Sequence, residues 1–300
     1  MTTPNFVPSG IFAPITTPFA SDHTLALERL RENVQKYNQT KLAGYVVVGS
    51  TGESVYLREE EKLRVWETVR EAVAADKLLI AGTGMESTAE TVALTQRAAS
   101  LGYRVALVKT PHYFKPQMSE AALERYFCAV ADASRIPILI YSVPQFTGVA
   151  VEAALVARLA QHPNIIGIKE SSGNVERIAQ IIAATSESFS VLAGSGTTLY
   201  PSLVLGARGG ILAAACVLPE WFTSLYAAFC QGDHERARDL QQKLLPAVKL
   251  VVSVCGVSGV KYAMDLRGYY GGPARPPLLP LREQQQAEIA SIVRSLEAAK

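Results

Sequence analysis

Short, β-branched apolar runs alternate along the chain with longer segments of helical character, a pattern that predicts parallel strands joined by crossover helices. The runs are Ile11 to Thr17, Gly44 to Gly49, Leu78 to Gly82, Val105 to Thr110, Pro137 to Ser142, Ile165 to Glu170, Ser190 to Gly194 and Gly210 to Ala214. Eight is the number that closes a barrel whose interior is filled by side chains. Between them, Leu57 to Ala75 begins with Glu59, Glu60 and Glu61 at the end that a helix dipole favours for acids. Ser87 to Leu101, Ser119 to Ala133, Val151 to Gln161 and Asn174 to Ala184 also read as helices. An open doubly wound sheet is the rival, but no G-x-G-x-x-G follows the first run. The expected fold is therefore an α/β (β/α)8 TIM barrel.

After about Phe229 the pattern is helical only, through Asp233 to Val252, Ser258 to Leu266 and a last stretch where Ile289, Val293 and Leu296 recur at helical spacing. GGPARPPLLP from Gly271 cannot be helical through its prolines, so it reads as an extended strap. This divides the chain into a catalytic barrel, 1–230, and a C-terminal helical extension, 231–300. At 300 residues, 49% hydrophobic and 19% charged, one large core is the expectation. A net charge of +2 without a basic run argues against nucleic acid and membrane surfaces as partners. MTTPNFVPSG has neither a charged nor an apolar leader region, so a cytoplasmic location is expected. Cys128, Cys216, Cys230 and Cys255 form no C-x-x-C pair and read as buried, reduced thiols.

Barrel enzymes carry their chemistry where strands end. Lys169 closes Asn-Ile-Ile-Gly-Ile-Lys, where an apolar setting favours a neutral, nucleophilic amine, as Schiff-base formation requires. A lysine that pairs with neighbouring Glu170 is the blander alternative, and Lys109 ends its own strand in the same way, so position alone does not choose between the two lysines. Tyr141 closes Ile-Pro-Ile-Leu-Ile-Tyr and could shuttle protons, or be a core tyrosine with a satisfied hydroxyl. The Gly49-Ser50-Thr51-Gly52-Glu53 loop offers amides and hydroxyls to a small carboxylate, or is simply a tight turn. Gly194-Ser195-Gly196 follows the seventh run and, lacking a cation, suits close packing around a small substrate better than a phosphate. The four histidines lack ligand spacing, so no metal site is expected.

Taken together, GSTGES at 49–54, KTPHYF at 109–114, YSVPQFTG at 141–148 and NIIGIKE at 164–170 resemble the dihydrodipicolinate synthase and N-acetylneuraminate lyase family over essentially the whole barrel. VSGVKYAMDLRGYYGGPARPPL from Val257 resembles its 4-hydroxy-2-oxoglutarate aldolase branch. The resemblance implies that Lys169 forms the imine with pyruvate and that Tyr141 transfers protons. It further implies that Ser50, and Tyr113 reaching in from a neighbouring subunit, complete a proton relay. Thr51 would hold the pyruvate carboxylate, Ile211 would pack against the keto acid, and Ser171 would meet the far end of the substrate. No cofactor is implied, and a homotetramer built as a dimer of dimers is.

Departures from the family pattern bear on the substrate. Synthases carry an arginine where this chain has Phe146, and Ser142 and His112 replace a common asparagine and tyrosine. The lyase branch's acidic sugar-binding pattern is absent from Gly194 to Thr198. The leading expectation is cleavage of 4-hydroxy-2-oxoglutarate to pyruvate and glyoxylate. The alternative is synthesis of 4-hydroxy-tetrahydrodipicolinate from pyruvate and aspartate semialdehyde. Dehydration of a 2-keto-3-deoxy sugar acid, or keto-acid binding without turnover, stand behind these.

Overall fold

The structure is a computed structural model that describes residues 7–298. Eight strands form one closed barrel in sequence order. They are β1 (Gly10–Pro14), β2 (Gly44–Val47), β3 (Leu78–Gly82), β4 (Val105–Lys109), β5 (Ile138–Ser142), β6 (Ile165–Glu170), β7 (Ser190–Ala193) and β8 (Gly209–Ile211). The pairings are parallel. Strands such as β1, β2 and β5 are buried at every position, as expected when side chains fill the barrel on one face and helices cover the other. The (β/α)8 expectation holds, with a C-terminal helix beyond the barrel.

By their internal contacts the residues fall into two compact units. Among the described residues, one comprises 7–10 together with Leu79–Ile211, and the other Ile11–Leu78 together with 212–298. Within the first, helices Thr88–Ser100, Glu120–Ala133 and Val175–Ala183 begin at Ser87, Ser119 and Asn174. Each of these side chains accepts an N–H from the first turn, which satisfies one of the donors a helix leaves unpaired. Gly167 is required where β6 meets β7, because a Cβ there would stand 2.2 Å from the Ser190 carbonyl oxygen.

Within the second unit, helix Leu27–Asn38 buries Leu30, Val34 and Tyr37, and the Tyr37 hydroxyl donates to the Cys216 carbonyl at 2.6 Å. Helix Pro219–Cys230 has proline in its first turn, where a missing N–H costs nothing. His234–Val248 then passes into a wider π-type turn, Lys249–Val254, before helix Gly256–Leu266. The last helix, Glu283–Ala298, buries Ile289, Val293 and Leu296 and contacts Gly256–Leu266. Residues 271–281 run without helix, as the prolines dictate.

Two expectations need correction. Ala213 and Ala214 belong to a 3-10 turn, because β8 stops at Ile211. Only Cys216 is a buried thiol; Cys128 and Cys255 are half-buried and Cys230 is exposed, all of them free. Among the described residues no helix is long and apolar enough to cross a membrane.

Candidate active site

In the first unit, β4, β5 and β6 carry three polar side chains at one level, since Lys109 pairs with Tyr141 and Tyr141 with Lys169. Parallel neighbours in register point to the same face. Lys169 and Tyr141 are each 5% exposed, and Lys169 Nζ lies 4.2 Å from the centroid of the Tyr141 ring. Leu192, in register with Lys169 on β7, and Leu139, two residues before Tyr141, share that face and are fully buried. The arrangement sets an amine against a phenol inside a largely apolar wall, which suits nucleophilic addition to a carbonyl with a proton donor alongside.

Glu170 is not the partner of Lys169. It follows Lys169 on the strand and points to the opposite face, where its carboxylate accepts the Ser172 N–H at 3.1 Å and the Ser172 hydroxyl at 2.9 Å. Burial raises the Glu170 carboxyl above its ordinary value, and the Ser172 hydrogen bonds and Arg177 only partly oppose this. The competing lysine is engaged elsewhere. Lys109 Nζ lies 3.2 Å from Glu86 Oε1 and 3.3 Å from His112 Nδ1. Glu86 Oε2 accepts the N–H groups of His112 and Tyr113 at 2.7 and 2.8 Å. Burial pushes the Glu86 carboxyl up, but those N–H donors and Lys109 outweigh it and hold the group below the usual range. Geometry therefore separates two lysines that sequence position could not: one is committed to a carboxylate, the other stands free of Glu170 against an aromatic face.

The loop after β6 is tied down tightly. Ser171 donates its N–H to the Ser142 carbonyl at 3.0 Å, Gln145 Nε2 donates to the Ser171 carbonyl at 2.8 Å, and the Gly194 N–H reaches the Glu170 carbonyl at 2.6 Å. Ser171 is 6% exposed, and its hydroxyl is buried with no hydrogen-bond partner among the described residues. A Cβ on Gly194 would fall 1.8 Å from that hydroxyl oxygen. Ser171 and Gly194 thus meet, and Gly194 has to be glycine. Ile211, fully buried, ends β8. Tyr113 is placed differently from Lys169 and Tyr141: the residue is 77% exposed, with its ring edge-on to that of Phe114, itself 65% exposed. Phe146 is 69% exposed in the short turn Pro144–Thr147 after β5.

In the second unit, the loop that follows β2 holds Ser50 and Thr51, both half-buried. The N–H groups of Gly52 and Glu53 close back on the carbonyls of Gly49 and Ser50, and the Thr17 hydroxyl donates to the Gly52 carbonyl at 2.7 Å. Val48 and Glu53, at the two ends of this loop, have φ of 61° and 56°. The left-handed region is uncommon for any non-glycine residue and an outlier for a β-branched one, and such backbone collects at functional sites. Sequence reasoning did not single out Glu86. Its only sequence signal was a carboxylate in the loop after β3.

The description "Dihydrodipicolinate synthetase family" belongs to the family model that matches residues 7–296 of this chain. A 4-hydroxy-tetrahydrodipicolinate synthase from Methanothrix thermoacetophila is 37% identical over 288 residues, covering 96% of each chain. Among solved structures, dihydrodipicolinate synthase from Bacillus anthracis superposes with a TM-score of 0.92 at 29% identity, over 97% of this chain and 99% of that one. A prophage protein of the dihydrodipicolinic acid synthase family from E. coli K12, solved in complex with pyruvate, gives 0.90 at 30% identity, over 96% and 98%.

Proposed function

The chain belongs to the dihydrodipicolinate synthetase family, whose members are lyases working through a lysine Schiff base with pyruvate, and from that premise we propose that Lys169 is the imine-forming residue here. The observation that carries this reading is the buried Lys169 amine 4.2 Å from the Tyr141 ring on the neighbouring strand. Lys169 Nζ adds to the keto carbon of pyruvate, and loss of water leaves an iminium. That iminium accepts the electron pair set free at C3 when a carbon–carbon bond breaks, or supplies the enamine that forms one. Tyr141 moves the protons, with Ser50 and a partner subunit's Tyr113 in the relay. Thr51 takes the pyruvate carboxylate, Ile211 and Gly194 pack around the keto acid, and the unpaired Ser171 hydroxyl meets the distal end of the substrate. The catalytic barrel spans 1–230 with the extension at 231–300, and the enzyme works in the cytoplasm as a homotetramer.

Two reactions compete for this chemistry. The names of the curated relatives favour synthesis of 4-hydroxy-tetrahydrodipicolinate from pyruvate and aspartate semialdehyde, and they weigh more for that reading than for any other. Phe146 favours cleavage of 4-hydroxy-2-oxoglutarate, because a phenyl ring cannot supply the charge and fork geometry that an arginine offers a semialdehyde's carboxylate. Lys109 is a poor substitute, being held by Glu86. Measuring kcat/KM for both reactions on the same preparation decides between them. Cleavage at least tenfold more efficient assigns the aldolase, and the reverse ratio assigns the synthase.

A further inference from the structure

The loop after β2 ends on a glutamate that the imine chemistry does not use. Glu53 is 1% exposed, in a left-handed backbone conformation, and its Oε1 lies 2.5 Å from the ammonium of Lys261, which is itself 1% exposed. Lys261 sits on helix Gly256–Leu266, and its Nζ also donates to the Pro273 carbonyl at 2.8 Å. The other Glu53 oxygen accepts the Arg275 N–H at 2.7 Å. Both Lys261 and Arg275 lie over the face of Phe19, at 4.4 and 4.2 Å. The Arg275 guanidinium in turn grips Glu61 through two bonds of 2.7 and 2.8 Å and donates to the carbonyls of Tyr56 and His23. Gly271 is required at the start of this strap, since a Cβ there would stand 2.0 Å from the Lys261 carbonyl oxygen.

A buried ion pair is weak evidence for stability, because the desolvation of both ions offsets most of their attraction. Burial does lower the Lys261 ammonium from its ordinary value, against the pull of Glu53. What such a pair does well is fix one geometry, and strained backbone persists only where its surroundings over-determine it. The loop bracketed by Val48 and Glu53 is strained at both ends, and the Glu53 side chain, alongside the Thr17 hydroxyl on the Gly52 carbonyl, ties it to the rest of the fold.

We infer that Lys261 and the strap carrying Arg275 are positioning elements for the 49–53 loop, holding Glu53 so that the loop keeps the shape that receives the substrate's carboxylate. This rests on the reading of Thr51 as the carboxylate's partner. Removing both buried charges together, in Glu53→Gln with Lys261→Met, should leave Tm near that of the unmodified protein, because neither ion is stranded. It should nonetheless raise the pyruvate concentration giving half-maximal borohydride trapping by about tenfold or more, with the rate at saturating pyruvate changed far less, as for lost ground-state binding. Thr51→Val, measured alongside, tests the underlying reading and should raise the same half-saturation value. If Thr51→Val raises it and the folded double variant does not, the positioning role is overturned. If Thr51→Val leaves it unchanged, the carboxylate reading fails and takes the inference with it. Should the double variant not fold, Arg275→Lys keeps the charge but loses the fork on Glu61. A raised half-saturation value there supports the role, and an unchanged one overturns it.

Discussion

Gly194→Ala puts a methyl group where a hydrogen stood, and the structure leaves no room for it. The new Cβ would stand 1.8 Å from the Ser171 hydroxyl oxygen, 2.7 Å from its Cβ and 2.8 Å from its Cα. The hydroxyl contact is about 1.6 Å short of the 3.4 Å at which ordinary contact begins, and rotating the serine away leaves the backbone contact unresolved. Ser171 cannot simply withdraw, because its N–H is bonded to Ser142 and its carbonyl to Gln145. Overpacking of this kind costs about 1–3 kcal/mol. A shift of about 1 Å in a catalytic loop can cost on the order of 100-fold in rate. Thermal unfolding should therefore show a lower Tm, and turnover should fall by about 100-fold. Adding Ser171→Gly to Gly194→Ala removes the two side-chain contacts and should restore part of the lost Tm without restoring turnover. A Gly194→Ala protein with unchanged Tm and turnover would refute the packing of these two loops.

Tyr141→Phe should still form the pyruvate imine but turn over about 10²–10⁴-fold more slowly, the usual loss for a general acid or base; an unchanged kcat removes Tyr141 from the mechanism. Mixing inactive Tyr113→Phe subunits with inactive Lys169→Ala subunits should restore activity, since a hybrid dimer then holds one intact site. Verified hybrids without recovery would count against a shared site. Glu170 gives a pH dependence. Its folded carboxyl is raised by burial, so the stability it contributes is full below the ordinary 4.5 and is lost as pH rises through the higher folded value. Glu170→Gln should accordingly have a Tm at or above the parent's at pH 7, and the gap should close as the pH is lowered to about 4. A gap that widens on acidification would mean that the carboxylate form is the one the fold favours.

All eight strands were legible because each is a short apolar run, and β3 and β6 coincide with their expected spans. β5 begins one residue late, at Ile138, and the others end a residue or more early; β2 stops at Val47 because Val48 turns left-handed. Helix Leu27–Asn38 escaped notice for a physical reason. Its apolar residues are outnumbered by Arg, Glu, Asn and Lys, and no side chain caps its N-terminus. Position at a strand end pointed to Lys169 and Tyr141, but Lys109 shared that signal, and only the family resemblance chose between the lysines. The physical distinction is the Glu86 carboxylate, brought to Lys109 from the loop after another strand. The tie between Glu53 and Lys261 was equally invisible, because nothing in a lone lysine on an apolar helix says which loop its ammonium will meet.

The central claim is that Lys169 is the nucleophile. Incubation of the unmodified protein with pyruvate and borohydride, followed by peptide mass mapping, should place the reduced pyruvate adduct on the peptide containing Lys169, and Lys169→Ala should take up none while remaining folded. An adduct on Lys109, or none on any lysine, would contradict it.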